Sequence, residues 1–238
     1  MAVPELPWLN AAGAPSTNLT QAAAALSYIW LMFEDTSYQN VGPNSPLLNT
    51  CGRTYYTSAE ASIELWRKTG FPYSKMVIGT PLYGYNYVTN RTSFLRRRAS
   101  ALAGGVSAPL FPREEDNVAR RRSAASSSDS AAPASRAVTY ANMQTVTFAQ
   151  FVADGTLVYN ATSGKFGGGN GYTRQWDSCS STPFLTKPGS LIAYDDPTSL
   201  NLKAAYAKSK GMYGAGAWAL QSDWQGKLSA ALRAGLNN

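Results

Sequence analysis

A chain of 238 residues that is 44% hydrophobic and 12% aromatic is long enough for one sizeable domain or a domain with an insert, and too apolar to remain unfolded. Its formal charge of +7 is concentrated: nine arginines and four acids between Arg91 and Arg136 give +5, and the other twelve basic and ten acidic residues give +2. With no histidine, Ser–His and Cys–His nucleophilic catalysis are excluded; Cys51 and Cys179 fit no metal spacing, and no apolar run approaches the roughly 18 residues of a membrane helix.

In chain order, Ala2 to Leu9 predicts a short, proline-studded strand ending at Pro7-Trp8. Met1 to Trp8 lacks the basic and apolar regions of a signal peptide, so the protein either stays inside the cell or its true beginning is missing. Asn18, with Gln21 three residues on, predicts a capping box before the alanine-rich helix Gln21–Leu26. Tyr28 to Phe33 is a continuous apolar run, as in strands buried on both faces of a parallel sheet. Ser58 caps a second helix, with Ile63, Leu65 and Trp66 on its apolar face and Gly70 as its stop. Lys75 to Tyr83 is the next buried strand, and this alternation predicts βαβ units with right-handed crossovers.

The alternation breaks at about residue 86. Residues 86–189 predict an α+β insertion, with a disordered Arg/Ser-rich stretch near 95–136 that holds Arg96-Arg97-Arg98 and Arg120-Arg121-Arg122. No aromatics are interleaved with these triplets, so a solvated segment is favoured over a nucleic-acid site. Gly167-Gly-Gly lacks the lysine and spacing of a phosphate loop. Regularity returns at Leu191–Tyr194. Asp195-Asp196-Pro197 is a helix cap with proline at the first position rather than a catalytic pair. A helix over about 199–209, a strand over 214–220 and a last helix over about 225–234 complete the chain. If the protein is exported, Cys51 and Cys179 can pair as a disulfide, and Asn18, Asn90 and Asn160 head glycosylation sequons.

Four segments in register carry a resemblance to glycoside hydrolase family 18, the chitinase family. Pro7-Trp8-Leu9 resembles the end of the family's fifth barrel strand. Leu31-Met-Phe-Glu-Asp35, followed by Gly42-Pro-Asn-Ser-Pro-Leu47, resembles its sixth strand, M-x-Y-D before G-P-N-x-P-L. Met76 to Gly84 resembles the seventh strand, G-x-P-x-Y-G, and Gly214-Ala-Gly-Ala-Trp218 the eighth. Tyr172 to Pro183 resembles the end of the α+β insert of fungal members. The resemblance implies an α/β fold: the part of a TIM (β/α)8 barrel that holds strands five to eight, with the α+β insertion between the last two strands. Residues 1–85 would hold strands five to seven and 190–238 the final helix–strand–helix.

The family hydrolyses N-acetylglucosamine polymers with retention, the substrate's own acetamido oxygen attacking the anomeric carbon, so the protein supplies a protonated glutamate rather than a nucleophile. That glutamate lies in D-x-x-D-x-D-x-E on the fourth strand, a spacing not found here. The resemblance therefore implies an inactive fragment of a chitin hydrolase, or alternatively a non-catalytic chitin-binding, lectin-like protein. Carried over as supporting residues are Asp35, which would help polarise the acetamide, and Met32, Glu34, Tyr83 and Trp218, which would contact substrate. Taken without the resemblance, Met32 and Trp30 belong to a core strand. Glu34 stands where the family has the tyrosine that donates to the acetamido oxygen. An ionised glutamate only accepts hydrogen bonds, whereas a buried, protonated one could donate. The expected partner is chitin or a chito-oligosaccharide, with a missing N-terminal half-barrel as a further one. No cofactor, metal, nucleic acid or membrane is expected, and an extracellular location is expected for the parent protein.

Overall fold

A computed structural model describes residues 1–37, 41–53, 57–94 and 143–237. The segment near 95–136 expected to be disordered, with its Arg triplets, lies outside these residues.

Four parallel strands, β1 (Ala2–Val3), β2 (Ile29–Met32), β3 (Met76–Pro81) and β11 (Gly214–Trp218), form one sheet in the order β1-β2-β3-β11. The outward side chains Ile29, Leu31, Met76 and Ile78 are fully buried, together with Ile63 and Trp66 of helix α2 (Ala59–Lys68). Their alternate neighbours face the other side. There the Trp30 indole reaches across β3 to β11 and lies over a glycine of each: a Cβ on Gly79 would approach its Nε1 to 2.3 Å, and a Cβ on Gly216 its ring to 2.2 Å. Those strands carry glycine because the indole occupies the volume a side chain would need.

The first strand is shorter than the proline-studded run suggested. It ends at Val3, because Pro4 and Pro7 remove backbone donors. Trp8 turns away and packs edge-on against Trp66 and Phe71, at centroid distances of 5.3 and 6.3 Å. Helix α1 (Thr20–Ala25) has Leu19, not Asn18, as its N-cap. The Asn18 carboxamide oxygen instead accepts from the Thr20 backbone and hydroxyl, closing a local turn that leaves the cap position to the next residue. Helix α2 begins as expected, with Ser58 accepting from the Ala61 N–H at 3.3 Å.

The apolar run from Lys75 to Tyr83 divides at Leu82. Its second part, β4 (Tyr83–Val88), leaves the parallel sheet and enters a five-stranded antiparallel one. That sheet has the order β5-β4-β10-β9-β8, with β5 at Met143–Thr147, β8 at Thr173–Asp177, β9 at Thr182–Lys187 and β10 at Ser190–Ala193. Helix α3 (Phe148–Ala153) and the hairpin β6 (Leu157–Asn160) with β7 (Lys165–Gly168) pack beside it. The antiparallel sheet thus extends from Tyr83 to Ala193, taking in residues on both sides of the 86–189 segment. A Cys51–Cys179 disulfide and a buried, bidentate Arg53–Asp177 pair (2.6 and 2.8 Å) tie it to the loop before α2.

From β10 the chain enters helix α4 (Pro197–Ser209), capped by Asp196 in a reciprocal box with Ser199 and with Pro197 at the first position. Helix α4 packs on helix α5 (Lys227–Asn237) through Gly235, where a Cβ would come within 2.4 Å of the Asn201 carbonyl oxygen. Among the described residues no helix is long and apolar enough to cross a membrane.

Candidate functional site

An open cavity of about 850 Å³ lies against the parallel sheet, from Met1 and Tyr28 to the carboxyl end, where Glu34, Asp35, Tyr83 and Trp218 line it. Active sites of parallel α/β sheets lie at this end, where side chains of successive strands and their following loops converge. Of the residues expected to form the site, Met32, Glu34, Asp35, Tyr83 and Trp218 all line this cavity. Trp8, placed by the sequence at the end of the first strand, does not; it lies in the helix-facing core. Trp30, which composition alone assigns to the core, is part of the cavity lining.

Asp35 is held in place by its surroundings. Its backbone is in the left-handed region (φ 68°), an uncommon state that aspartate tolerates better than most residues. Asn44 stabilises the turn: its carboxamide oxygen accepts from the Asp35 N–H at 2.9 Å, and its amino group donates to the Tyr83 carbonyl at 3.1 Å. The turn directs the Asp35 carboxylate onto two phenols. Tyr83 donates to Oδ1 at 2.5 Å, and Tyr85 donates to the same oxygen. Burial, then the bond to Asp35, pushes both phenol pKa values up, so both hydroxyls stay protonated donors at any physiological pH.

Glu34 points into the cavity with one carboxyl oxygen buried and without a hydrogen-bond partner. Burial raises its pKa to about 7, the neighbouring Asp35 charge adds to the rise, and Lys203 opposes it. Lys203 is itself fully buried and donates to Asp195. Burial lowers the lysine and raises the aspartate, so both are drawn toward their neutral forms. A third carboxyl in the cavity, Glu5, was not foreseen. Helix α2 fixes its backbone: Ser62 donates to the Glu5 carbonyl, and the Trp66 indole donates to the Pro4 carbonyl at 3.3 Å. Glu5 likewise has a buried, unpartnered oxygen, and burial pushes its pKa up to about 7.

Trp218 closes the opposite side from the end of β11. Although the residue is 64% exposed, it forms part of the cavity lining, where its indole offers a flat apolar face. Tyr85 and Glu5 are the site residues that sequence reasoning missed. Tyr85 could have been found as the position two beyond Tyr83, on the same face of an extended strand. Glu5 carried no such signal. Asn18, Asn90 and Asn160 lie exposed on the surface, away from the cavity lining. Among the described residues no group of acids and cysteines could hold a metal ion.

The α/β fold, with an acidic, aromatic cavity against its parallel sheet, is of the TIM-barrel type. Residues 2–223 match the model of glycosyl hydrolases family 18, and the chain belongs to that family. It is 28% identical to a "chitinase-like effector" of Moniliophthora roreri over 98% of the chain and 56% of that protein. Among solved structures, a chitinase from Rhizomucor miehei superposes with a TM-score of 0.69 at 24% identity, covering 99% of this chain and 60% of the other. A chitinase-like agglutinin from Robinia pseudoacacia superposes with a TM-score of 0.58 at 24% identity, covering 91% and 49%. The chain thus spans about half the length of the curated relatives it matches.

Proposed function

We propose that this chain binds chito-oligosaccharide in the cavity at the carboxyl ends of its parallel strands and does not by itself hydrolyse it. One observation carries the reading. The cavity retains the groups that hold a sugar, namely the Trp218 face and the Asp35–Tyr83 hydrogen bond, while Glu34 stands where the family places a phenol donor. D-x-x-D-x-D-x-E, from which the general acid comes in this family, is not in the 238 residues. Without a positioned acid the leaving oxygen must be protonated by water, and general acid catalysis of this kind contributes about 10²–10⁴-fold. Relatives called a chitinase-like effector and a chitinase-like agglutinin agree with a family member that binds rather than cleaves.

A second reading is favoured by the chain's spanning about half of its relatives. On this reading the four parallel strands are strands five to eight of a (β/α)8 barrel, the antiparallel sheet is the insertion between the last two, and a preceding half-barrel supplies the acid and completes a chitin hydrolase. Export of such a parent protein is supported by the disulfide and by three exposed sequon asparagines, since disulfides persist in oxidising compartments.

Retention on chitin beads and release of sugar from chitotetraose separate the readings. The chain is expected to be retained and to release no sugar, and Trp218→Ala is expected to lower retention about tenfold or more, as loss of a stacking platform does. Turnover by the purified chain would refute the binding-only reading. Undiminished retention of Trp218→Ala would remove the cavity from it.

A further inference from the structure

The loop that fixes Asp35 is fastened at its far end. Near its start, buried Asn44 accepts from the Asp35 N–H and donates to the Tyr83 carbonyl. The Asn44 carbonyl oxygen in turn accepts from the Thr36 N–H at 3.2 Å and the Thr36 hydroxyl at 3.0 Å. From there the loop runs along the turn between β8 and β9. The Leu47 N–H donates to the Ser180 carbonyl at 2.9 Å, and the Thr50 N–H to the Cys179 carbonyl at 3.1 Å. Cys51 then bonds to Cys179, and Arg53 pairs with Asp177. Strands β8 and β9 belong to the same antiparallel sheet as β4, which carries Tyr83 and Tyr85, the two phenols that donate to Asp35. Loop and sheet thus meet at both ends: at Asn44, where they set the Asp35 carboxylate on its phenols, and at the disulfide.

We propose that Cys51 and Cys179 are a redox-responsive positioning pair. Closed, the disulfide holds the loop taut and Asp35 on Tyr83 and Tyr85; opened, it lets the Asp35 turn move away from them and weakens ligand binding in the cavity. The effect on ligand rests on the sugar site proposed above, whereas the effect on the Asp35 turn does not. A short stretch of loop separates Asn44 from Cys51, so little slack lies between the covalent anchor and the turn. The closed form suits an oxidising compartment, where such a bond persists. Cys51 is exposed, and an accessible disulfide is open to attack by a thiolate. A dithiol such as dithiothreitol opens it in two exchanges. Its first thiolate breaks the S–S bond and forms a mixed disulfide with one cysteine, releasing the other as a thiolate that takes up a proton. Its second thiolate displaces the remaining cysteine in the same way, so both cysteines end as thiols and the reagent as a cyclic disulfide. The Arg53–Asp177 pair and the Leu47 and Thr50 backbone bonds do not depend on that link, so the loop is expected to loosen without the sheets parting.

Amide hydrogen exchange of the full chain, oxidised and after reduction with dithiothreitol, tests this, with thiol labelling to follow the cysteines released. The Asp35 amide is expected to exchange about tenfold faster in the reduced protein while the amides of β3 keep their rates, and reoxidation is expected to restore the Asp35 rate. Chitotetraose is expected to bind the reduced protein about tenfold more weakly. Cys51→Ser/Cys179→Ser is expected to behave as the reduced protein, and the wild-type comparison stands without that variant. An unchanged Asp35 rate would overturn the positioning pair. So would equal acceleration at Asp35 and in β3, the mark of a staple for the whole fold, or a disulfide that the reagent cannot open in the folded protein. Equal affinity of the two forms for chitotetraose would overturn the effect on ligand. Faster exchange at Asp35 without chitotetraose binding by the oxidised protein would keep the positioning pair and remove the sugar site.

Discussion

Glu34 has a thermodynamic signature that it shares with Glu5. Its pKa is about 7 in the folded protein against 4.5 as the ordinary value, so between these two pH values the folded state holds a proton that the unfolded state has released. The stabilisation it contributes is fully present below the ordinary value and is lost as pH rises through about 7. Glu34→Gln removes the penalty. The variant is expected to match the wild type near pH 4 and to melt several degrees higher above about pH 8, since a 1 kcal/mol gain shifts Tm by about 2–4 °C at this size. Scanning calorimetry at the two pH values checks it, and an equal shift at both would contradict it. Sequence alone disclosed Glu34, because it interrupts an otherwise matching motif. It could not disclose Glu5, whose role depends on Ser62 and Trp66 of a helix more than fifty residues away.

Strands β2, β3 and β11 behave as a unit because one side chain spans them. The Trp30 indole covers Gly79 and Gly216, so the glycines and the tryptophan are mutually required. Gly79→Ala is expected to cost about 1–3 kcal/mol through overpacking, because the Leu31 carbonyl oxygen, 2.6 Å from the new Cβ, is backbone and cannot move aside cheaply. Denaturant unfolding measures this, and combining Gly79→Ala with Trp30→Ala should cost less than the sum of the two singles. Strict additivity would show that the indole does not fill the space. The strands themselves were legible from apolar runs such as Tyr28–Phe33, and α4 from Asp196-Pro197. The end of β3 was not, since an apolar run looks the same whether it continues or turns into another sheet. The Leu82 break is set by hydrogen bonds from the Leu82 N–H to Trp218 and from the Phe148 N–H to Leu82, both remote in sequence. The start of α1 was missed because the same asparagine chemistry that caps a helix also closes the turn before one.

On the scale of the molecule, the parallel sheet has two outer strands. Among the described residues β1 pairs only with β2, and β11 only with β3. Tyr28, Met32, Tyr213, Trp218 and Leu220 are exposed large hydrophobics of this sheet and its immediate flanks, with Tyr28 and Tyr213 stacked at 5.0 Å. Exposed edges and apolar faces favour association, so the sheet proposed to present a sugar site is also where a completing partner would add its strands. The family motifs made the cluster of Asp35, Tyr83 and Trp218 foreseeable, but not the charge balance of the cavity, which depends on which atoms burial leaves unpartnered. The most direct measurement is chemical-shift mapping of the isotopically labelled chain titrated with chitotetraose. The largest shifts are predicted at the Trp218 indole, the Met32 methyl, Asp35 and Tyr83. Shifts absent there, or confined to the polar cavity around Thr145 and Gln150 on the antiparallel sheet, would contradict sugar binding at the carboxyl ends of the parallel strands.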